Sequence, residues 1–393
     1  MRTILFLLGM SALLCCGKKQ VEKPVLIWRS SPFGKVQIET IYPIFHDNKI
    51  MVTHSTEHAP FTICALSTKD GHIIWQYQDT AVNPNVLYYN LRAYQDGSTL
   101  LIPMGNRLMA FDMQNGKKLW ENTMHDAAED FIEGIGSLAF RIYYDLVEPK
   151  AYLYCIDTKR GDASLFQVFE IEQGHKAFYR TPRPLIGQRG DTCLVFTSIF
   201  QNLQSKETFA GLNWMDYQSK SITQRDTIYP INYQGEGVTK QPLLDPAGKQ
   251  LYFVANNELV CYHAWTRKEL WRTEMPRDML TSFPVADRKR VYFACEDGKV
   301  YAVDKNNGNI LWSTHVSGTP SRIYDDGQSL HVIGGSDGIW HILDKDTGIE
   351  TFQTESPNRV NYPSIFFRRA FSVCPDKNAA ICTDGKDFFY YQW

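Results

Sequence analysis

One pattern, Ala-x-Asp-x-x-x-Gly-x-x-x-Trp, recurs along this chain, and no other feature constrains its fold so tightly. Ala302, Asp304, Gly308 and Trp312 carry it, and Ala110, Asp112, Gly116 and Trp120 repeat it unchanged. Ala65, Ser67, Gly71 and Trp75 differ at one place. Cys155, Asp157 and Gly161 keep the spacing but end in Leu165, and Asp344 and Gly348 lead to Phe352. In Cys261, His263, Arg267, Trp271 the tryptophan survives without the glycine, and Trp214, Asp216, Lys220, Gln224 keeps only the aspartate and the spacing. The chemistry of each position is consistent. Asp caps turn N–H groups, Gly takes the left-handed conformation, and the small residue is expected to leave room for an aromatic ring from a neighbouring unit.

The sequence around the best copy shows what the unit is. Val291–Cys295, Lys299–Asp304 and Asn309–Ser313 alternate β-branched and aromatic residues at period two, which predicts three strands. Glu296-Asp297-Gly298 and the stretch from Lys305 to Gly308 supply the positive-φ positions of tight turns. Ser282-Phe283-Pro284-Val285-Ala286 adds an innermost fourth strand. The result is a four-stranded antiparallel meander of roughly 40 residues, the size of one propeller blade.

Seven such blades follow in order: Val36–Tyr77, Tyr88–Asn122, Ile132–Gly174, Arg180–Asp226, Val238–Glu274, Thr281–Val316 and Thr319–Glu355. The remainder, Val360–Trp393, supplies only three strands. Near the other end, Val25-Leu26-Ile27-Trp28-Arg29 is a lone strand with Trp28 in the docking position. The expected fold is therefore all-β: an eight-bladed β-propeller over residues 25–393, closed by the N-terminal strand joining the C-terminal blade. Such closure removes the exposed edges of an open array.

The repeat resembles the tryptophan-docking motif of the PQQ-type β-propellers, found in quinoprotein dehydrogenases and in BamB-like lipoproteins of outer-membrane β-barrel assembly. The resemblance covers most of the chain and implies a blade scaffold in which Trp28, Trp75, Trp120, Trp271, Trp312 and Phe352 fasten neighbours. The dehydrogenases of this family carry adjacent cysteines over the quinone and side chains that ligate calcium. Here the only adjacent cysteines, Cys15-Cys16, lie near the N-terminus, so no cofactor is expected and the BamB-like members are the better match. A PQQ-dependent oxidoreductase and a glycan- or ligand-binding envelope propeller are the alternatives.

Residues 1–15 read as a lipoprotein signal peptide. Arg2 precedes an apolar run, Ile4 to Leu14, too short to span a bilayer. Leu13-Leu14-Cys15-Cys16-Gly17 resembles a lipoprotein processing box, with Cys16 as the lipid acceptor and residues 16–24 as the tether. An ordinary secretory signal is the other reading. With 41 basic and 43 acidic residues, nucleic acid is not an expected partner. Cys64, Cys155, Cys193, Cys261, Cys295, Cys374 and Cys382 are odd in number and form no CxxC, which favours buried free thiols.

Chemistry-bearing constellations are sparse. His54-Ser55-Thr56-Glu57-His58 matches H-x-x-E-H, but zinc hydrolysis needs both histidines on one helical face, and the pentad is expected in a strand-to-strand loop. No catalytic, cofactor or metal site is assigned. Loops carry function on such scaffolds. The acidic stretch His125–Glu133 offers Phe131 and Ile132, the basic stretch Tyr179–Arg189 offers Arg180 and Arg183, and Ile199–Phe209, with Phe200, reads as an insertion. Two readings stand for these stretches: solvated loops, or one polar docking face formed by the opposite charges of the first two. The expectation is a lipid-anchored, non-catalytic, monomeric scaffold, outer membrane favoured, engaging an envelope complex such as the β-barrel assembly machinery.

Overall fold

The computed structural model describes the chain outside residues 1–22, 35–41, 57–58, 80–92, 105, 125–126, 129–131, 146, 188–189, 231–240, 256–257, 276–283 and 369. Eight antiparallel sheets follow one another. Blade 1 illustrates the plan, with strands Ile44–His46, Lys49–Thr56, Ala59–Ser67 and Ile73–Gln78 running from innermost to outermost. Among the described residues the only helical segments are two 3-10 turns, Pro357–Val360 and Pro375–Lys377. Because each blade is a meander, the turns after its first and third strands lie on one face of the ring, the hairpin face. The turns after the second strand and the connections between blades lie on the other, the connector face.

Period-two alternation places the core between blades rather than inside any one of them. In blade 1, Met51, Ile63 and Ala65 pack against Leu100, Ile102 and Met109 of blade 2. Their sequence neighbours Ile50, Val52, Cys64 and Leu66 turn the other way, onto Trp28, Ile381 and Tyr390 of blade 8. All of these blade 1 residues are fully buried.

Blade 8 is built from both ends of the chain. Ser372–Cys374, Ala379–Thr383 and Phe388–Gln392 pair in sequence, and Val25–Ser30 adds the outer strand. Leu26 stands opposite Tyr391 and Trp28 opposite Tyr390, with an irregularity between them. The Trp28 and Tyr390 rings stack at 5.1 Å.

The tryptophan of one blade covers the turn glycine of the next. A Cβ on Gly71 would lie 2.6 Å from the Trp28 ring, and one on Gly161 2.6 Å from Trp120. Gly116 lies under Trp75, Gly308 under Trp271 and Gly348 under Trp312 in the same way. Each indole N–H donates to a backbone carbonyl of that turn: Trp28 to Thr68 (2.9 Å), Trp75 to Met113 (3.0 Å), Trp120 to Thr158 (3.0 Å), Trp271 to Lys305 (2.9 Å) and Trp312 to Lys345 (3.3 Å). The aspartate caps the turn, as Asp112 does for the Gln114 N–H (2.8 Å) and Asp304 for the Asn306 N–H (2.7 Å).

Two details depart from the sequence reading. The small residue does not receive a neighbour's ring: Ala110 and Ala302 stand opposite the tryptophan of their own blade, Trp120 and Trp312, and the glycine receives the foreign ring. A second peg, absent from that reading, lies two residues after the tryptophan. Ser30, Asn122, Thr273 and Thr314 each donate to the carbonyl of the covered glycine, at 2.8, 3.0, 2.5 and 2.6 Å.

The degenerate copies show other solutions. Leu165 is 46% exposed; an irregularity in the ladder brings the next residue, Phe166, inward against Tyr217, with Lys220 5.2 Å above its ring. Gln224 donates to the carbonyl of Arg267, which takes φ +58° where a glycine would stand. Phe352 meets no glycine turn, because the third and fourth strands of blade 8 come from opposite chain ends. It packs instead with Trp340, Tyr391 and Trp393.

Gly161→Ala is expected to cost about 3 kcal/mol, since the new methyl group meets Trp120 and the backbone is left-handed. Gly97→Ala, at φ +57° with nothing within 4 Å of the new Cβ, should cost only about 1 kcal/mol. Urea unfolding of the two variants checks the contrast; equal losses would show that the ring contact adds nothing.

Candidate protein-docking face

Blade 4 stands taller than the rest, and blade 3 shares the two-piece build of its inner strand. The second strand of blade 4, Thr192–Asn202, has 11 residues, whereas its counterpart in blade 6, Arg290–Ala294, has 5. At about 3.3 Å per residue the extra length lifts blade 4 roughly 20 Å beyond blade 6. The innermost strand of blade 4 follows this height in two pieces, His175–Tyr179 and Arg183–Ile186, both paired with Thr192–Asn202. Thr181 and Pro182 form the break, where proline has no N–H to give the ladder. Gln241 donates to the Thr181 carbonyl at 3.0 Å and fixes the kink. Blade 3 is built alike, with Ala127–Ala128 and Glu133–Ile135 both pairing Leu138–Tyr144. Its Tyr144 hydroxyl donates to the Tyr179 carbonyl (2.6 Å) and accepts from the Tyr179 N–H (2.8 Å), which ties the two blades together.

The turns of this crest expose apolar side chains. Val147, between the second and third strands of blade 3, is 90% exposed; Leu203, in the corresponding turn of blade 4, is 38% exposed; Phe178, on the raised inner strand, is 40% exposed. Local hydrogen bonds hold them there. Asp145 Oδ1 accepts from the N–H groups of Val147 (2.8 Å) and Glu148 (2.9 Å), and Asn202 Oδ1 from those of Gln204 (2.9 Å) and Ser205 (3.0 Å). These Asx turns are legible in the sequence as Asp or Asn beside a lone apolar residue. The sequence reading passed over them.

The residues it did single out are placed differently. Phe131 lies outside the described residues. Ile132 is 1% exposed, packed with Leu101 and Ala139 between blades 2 and 3. Arg183 does not face outward in a basic loop: it lies in the inner strand and pairs with Glu133 of blade 3 at 3.3 Å. Part of the expected charge complementarity is thus satisfied within the ring, because adjacent inner strands bring the acidic and basic stretches together. Arg180 is half-buried at the strand break, its N–H bonded to Thr197 O at 2.9 Å. Phe200 belongs to a strand rather than an inserted loop, opposite Phe209, with Arg225 5.0 Å above its ring.

The H-x-x-E-H motif also changes place. His54 lies within a strand opposite Thr62, 4% exposed, its ring stacked on Phe33 at 5.1 Å. Neither ring nitrogen has a hydrogen-bond partner. Glu57 and His58 lie outside the described residues, and among those described no group of three metal-ligating side chains occurs. All seven thiols from Cys64 to Cys382 are free, and burial pushes Cys64 up to about 12 and Cys193 up to about 11, far from a reactive thiolate.

Burial holds the His54 imidazole below its ordinary protonation range. The unfolded chain takes up a proton near pH 6.5 while the folded one resists it, so His54 contributes full stability above that pH and loses it as pH falls below. The unfolding free energy from urea titrations between pH 7.5 and 5 should therefore fall less steeply for His54→Phe than for the native chain, by at most about 1.4 kcal/mol per pH unit. Parallel pH profiles would contradict this.

Comparison with known proteins places this architecture. The chain resembles BamB from Moraxella catarrhalis, at 13% identity and a TM-score of 0.64 over 94% of this chain and 100% of that one. It also resembles the C-terminal WD40 domain of Sif2, at 12% identity and a TM-score of 0.63 over 94% and 98% of the two chains. The computationally designed Ika8 protein is similar at 8% identity and a TM-score of 0.58, over 94% and 99%. At these identities the likeness shows the fold alone. No curated protein matches the chain in sequence. The family described as outer membrane protein assembly factor BamB matches residues 2–175 and 217–368, leaving out most of blade 4. The chain belongs to the BamB family of PQQ-type β-propellers.

Proposed function

We propose that this chain is a lipid-anchored, non-catalytic scaffold of the bacterial envelope that docks a protein partner on the crest of blades 3 and 4. Family membership supports a BamB-like role as an accessory of outer-membrane β-barrel assembly, and the partner is then a component of that machinery. The observation that carries the docking site is the set of apolar residues held out at the crest, Val147, Phe178 and Leu203, on two adjacent blades tied together through Tyr144. Exposed apolar side chains on rigid, hydrogen-bonded turns form a binding anchor at little conformational cost. Arg180, at the base of the crest, would lie at its polar rim. Cys16 would carry the lipid, with residues 16–24 as tether, and the scaffold would act as a monomer.

The test is affinity capture of the full-length protein from solubilised membranes, with identification of what co-purifies. Recovery of β-barrel assembly components is expected, together with their loss from a Val147→Glu, Leu203→Glu variant that melts like the native chain. Cys16→Ser should move the protein to the soluble fraction. Full retention of the partner by the crest variant, or capture of a polysaccharide-handling protein instead, would overturn the reading.

A further inference from the structure

Across the channel from the crest, on the same connector face, blades 7 and 8 carry a different surface. The connection from blade 7 to blade 8 runs from Glu355 to Phe371 and folds back over the turn at Asp384–Asp387. Ser356 donates to Asp384 at 2.6 Å, and Asn358 to Asp384 at 2.9 Å and Asp387 at 2.7 Å; Ser31 also bonds Asp387. Both carboxylates are thereby drawn inward, 3% and 4% exposed, and satisfied chiefly by neutral donors. Among the described residues Arg29 is the one cation paired with them, 3.9 Å from Asp387.

Two cations lie above this knot, Arg368 exposed and Lys386 half-buried. Arg368 is exposed, within 3.0 Å of where a Gly385 Cβ would stand and so next to Lys386 in the chain. Neither Arg368 nor Lys386 joins a carboxylate among the described residues. Each lies over an aromatic ring of the connection instead: Lys386 4.3 Å from the centre of Tyr362, and Arg368 5.8 Å from that of Phe366. Tyr362 is itself 49% exposed. Towards the channel, Arg322 extends the array, 5.7 Å from the Tyr42 ring and 5.4 Å from Tyr324. The rings orient Arg368 and Lys386 without neutralising them, which leaves the charge of these two for an incoming anion.

We propose that this cation-on-aromatic patch is a second docking site, and that its occupant is an acidic segment of polypeptide whose carboxylates pair with Arg368 and Lys386. Charge complementarity selects an anion. The position of the tether selects polypeptide over a lipid surface, a choice that rests on the lipid-anchored reading. Val25 begins its strand at the hairpin face, the side opposite the patch. The scaffold then presents two unlike sites on one face, an apolar crest and a basic patch on opposite sides of the ring, and one extended or two-domain partner can engage both.

Fluorescence anisotropy of the purified full-length protein with a short labelled polyglutamate tests this directly. Binding that weakens with salt is expected, and it should fall at least about tenfold in Arg368→Glu, Lys386→Glu. An Arg368→Gln, Lys386→Gln variant guards against misfolding and should give an intermediate loss at an unchanged melting temperature. The crest variant should bind polyglutamate as the native chain does, so failure of one site is separable from failure of the other. Absence of binding, equal binding by the double variants, or Arg368-dependent capture of phosphatidylglycerol vesicles without polyglutamate binding would each overturn the proposal.

Discussion

The contact on which this structure depends is an indole ring laid over a glycine in the next blade. Five tryptophans make it, and each adds an N–H bond to the turn it covers. The contact needs three things together: a flat ring, a turn with no Cβ beneath it, and an aspartate, or Ser67 in blade 1, to hold that turn in shape. Blades 8, 1, 2, 5 and 6 give the ring to blades 1, 2, 3, 6 and 7, so blade 1 receives its ring only when the circle of blades is closed. Trp28 therefore has to arrive from the far end of the chain, and the whole propeller depends on Val25–Ser30 reaching Phe388–Gln392.

The sequence reading succeeded where local chemistry and global architecture say the same thing. Asp304, Gly308 and Trp312 each state a backbone requirement; their recurrence counted seven blades, and the three leftover strands with the lone strand at Trp28 gave the eighth. It failed where tertiary context decides. Nothing in Leu165-Phe166 says which of the two turns inward; an irregularity in the ladder decides it, and Phe166 takes the interior place. Ile132 looked exposed because its neighbours are acidic, but the seam between blades 2 and 3 buries it. His54 looked like part of a loop because Pro60 follows soon after, yet the ladder continues through Thr56. The second peg at Ser30, Asn122, Thr273 and Thr314 was present as a run of small polar residues and passed unnoticed, because hydroxyl and amide side chains in an outer strand ordinarily face water.

The departures from the repeat cluster usefully. Residues 176–216, which the family match leaves out, contain most of the tall part of blade 4 and the tip that exposes Leu203. Blades 2 and 6, which keep the motif unchanged, have short strands of five or six residues and no comparable elevation. A scaffold whose seams are fixed by a repeated contact can lengthen one or two blades without disturbing the others, since each blade touches only its neighbours. The crest of blades 3 and 4 is where this chain uses that freedom. The long connection over blade 8 is a second such place, anchored there by buried hydrogen bonds to Asp384 and Asp387 rather than by added strand length.

Amide hydrogen exchange over residues 26–30 tests the central claim most directly. If the ring is closed by these residues, the amides that pair with Phe388–Gln392 exchange only on the slow timescale of the blade cores, and they lose protection together with the core strands when denaturant is added. Rapid exchange of this segment in a protein whose other strands remain protected would mean that the ring stands without it, and the account of a propeller held by reciprocal tryptophan contacts would be wrong.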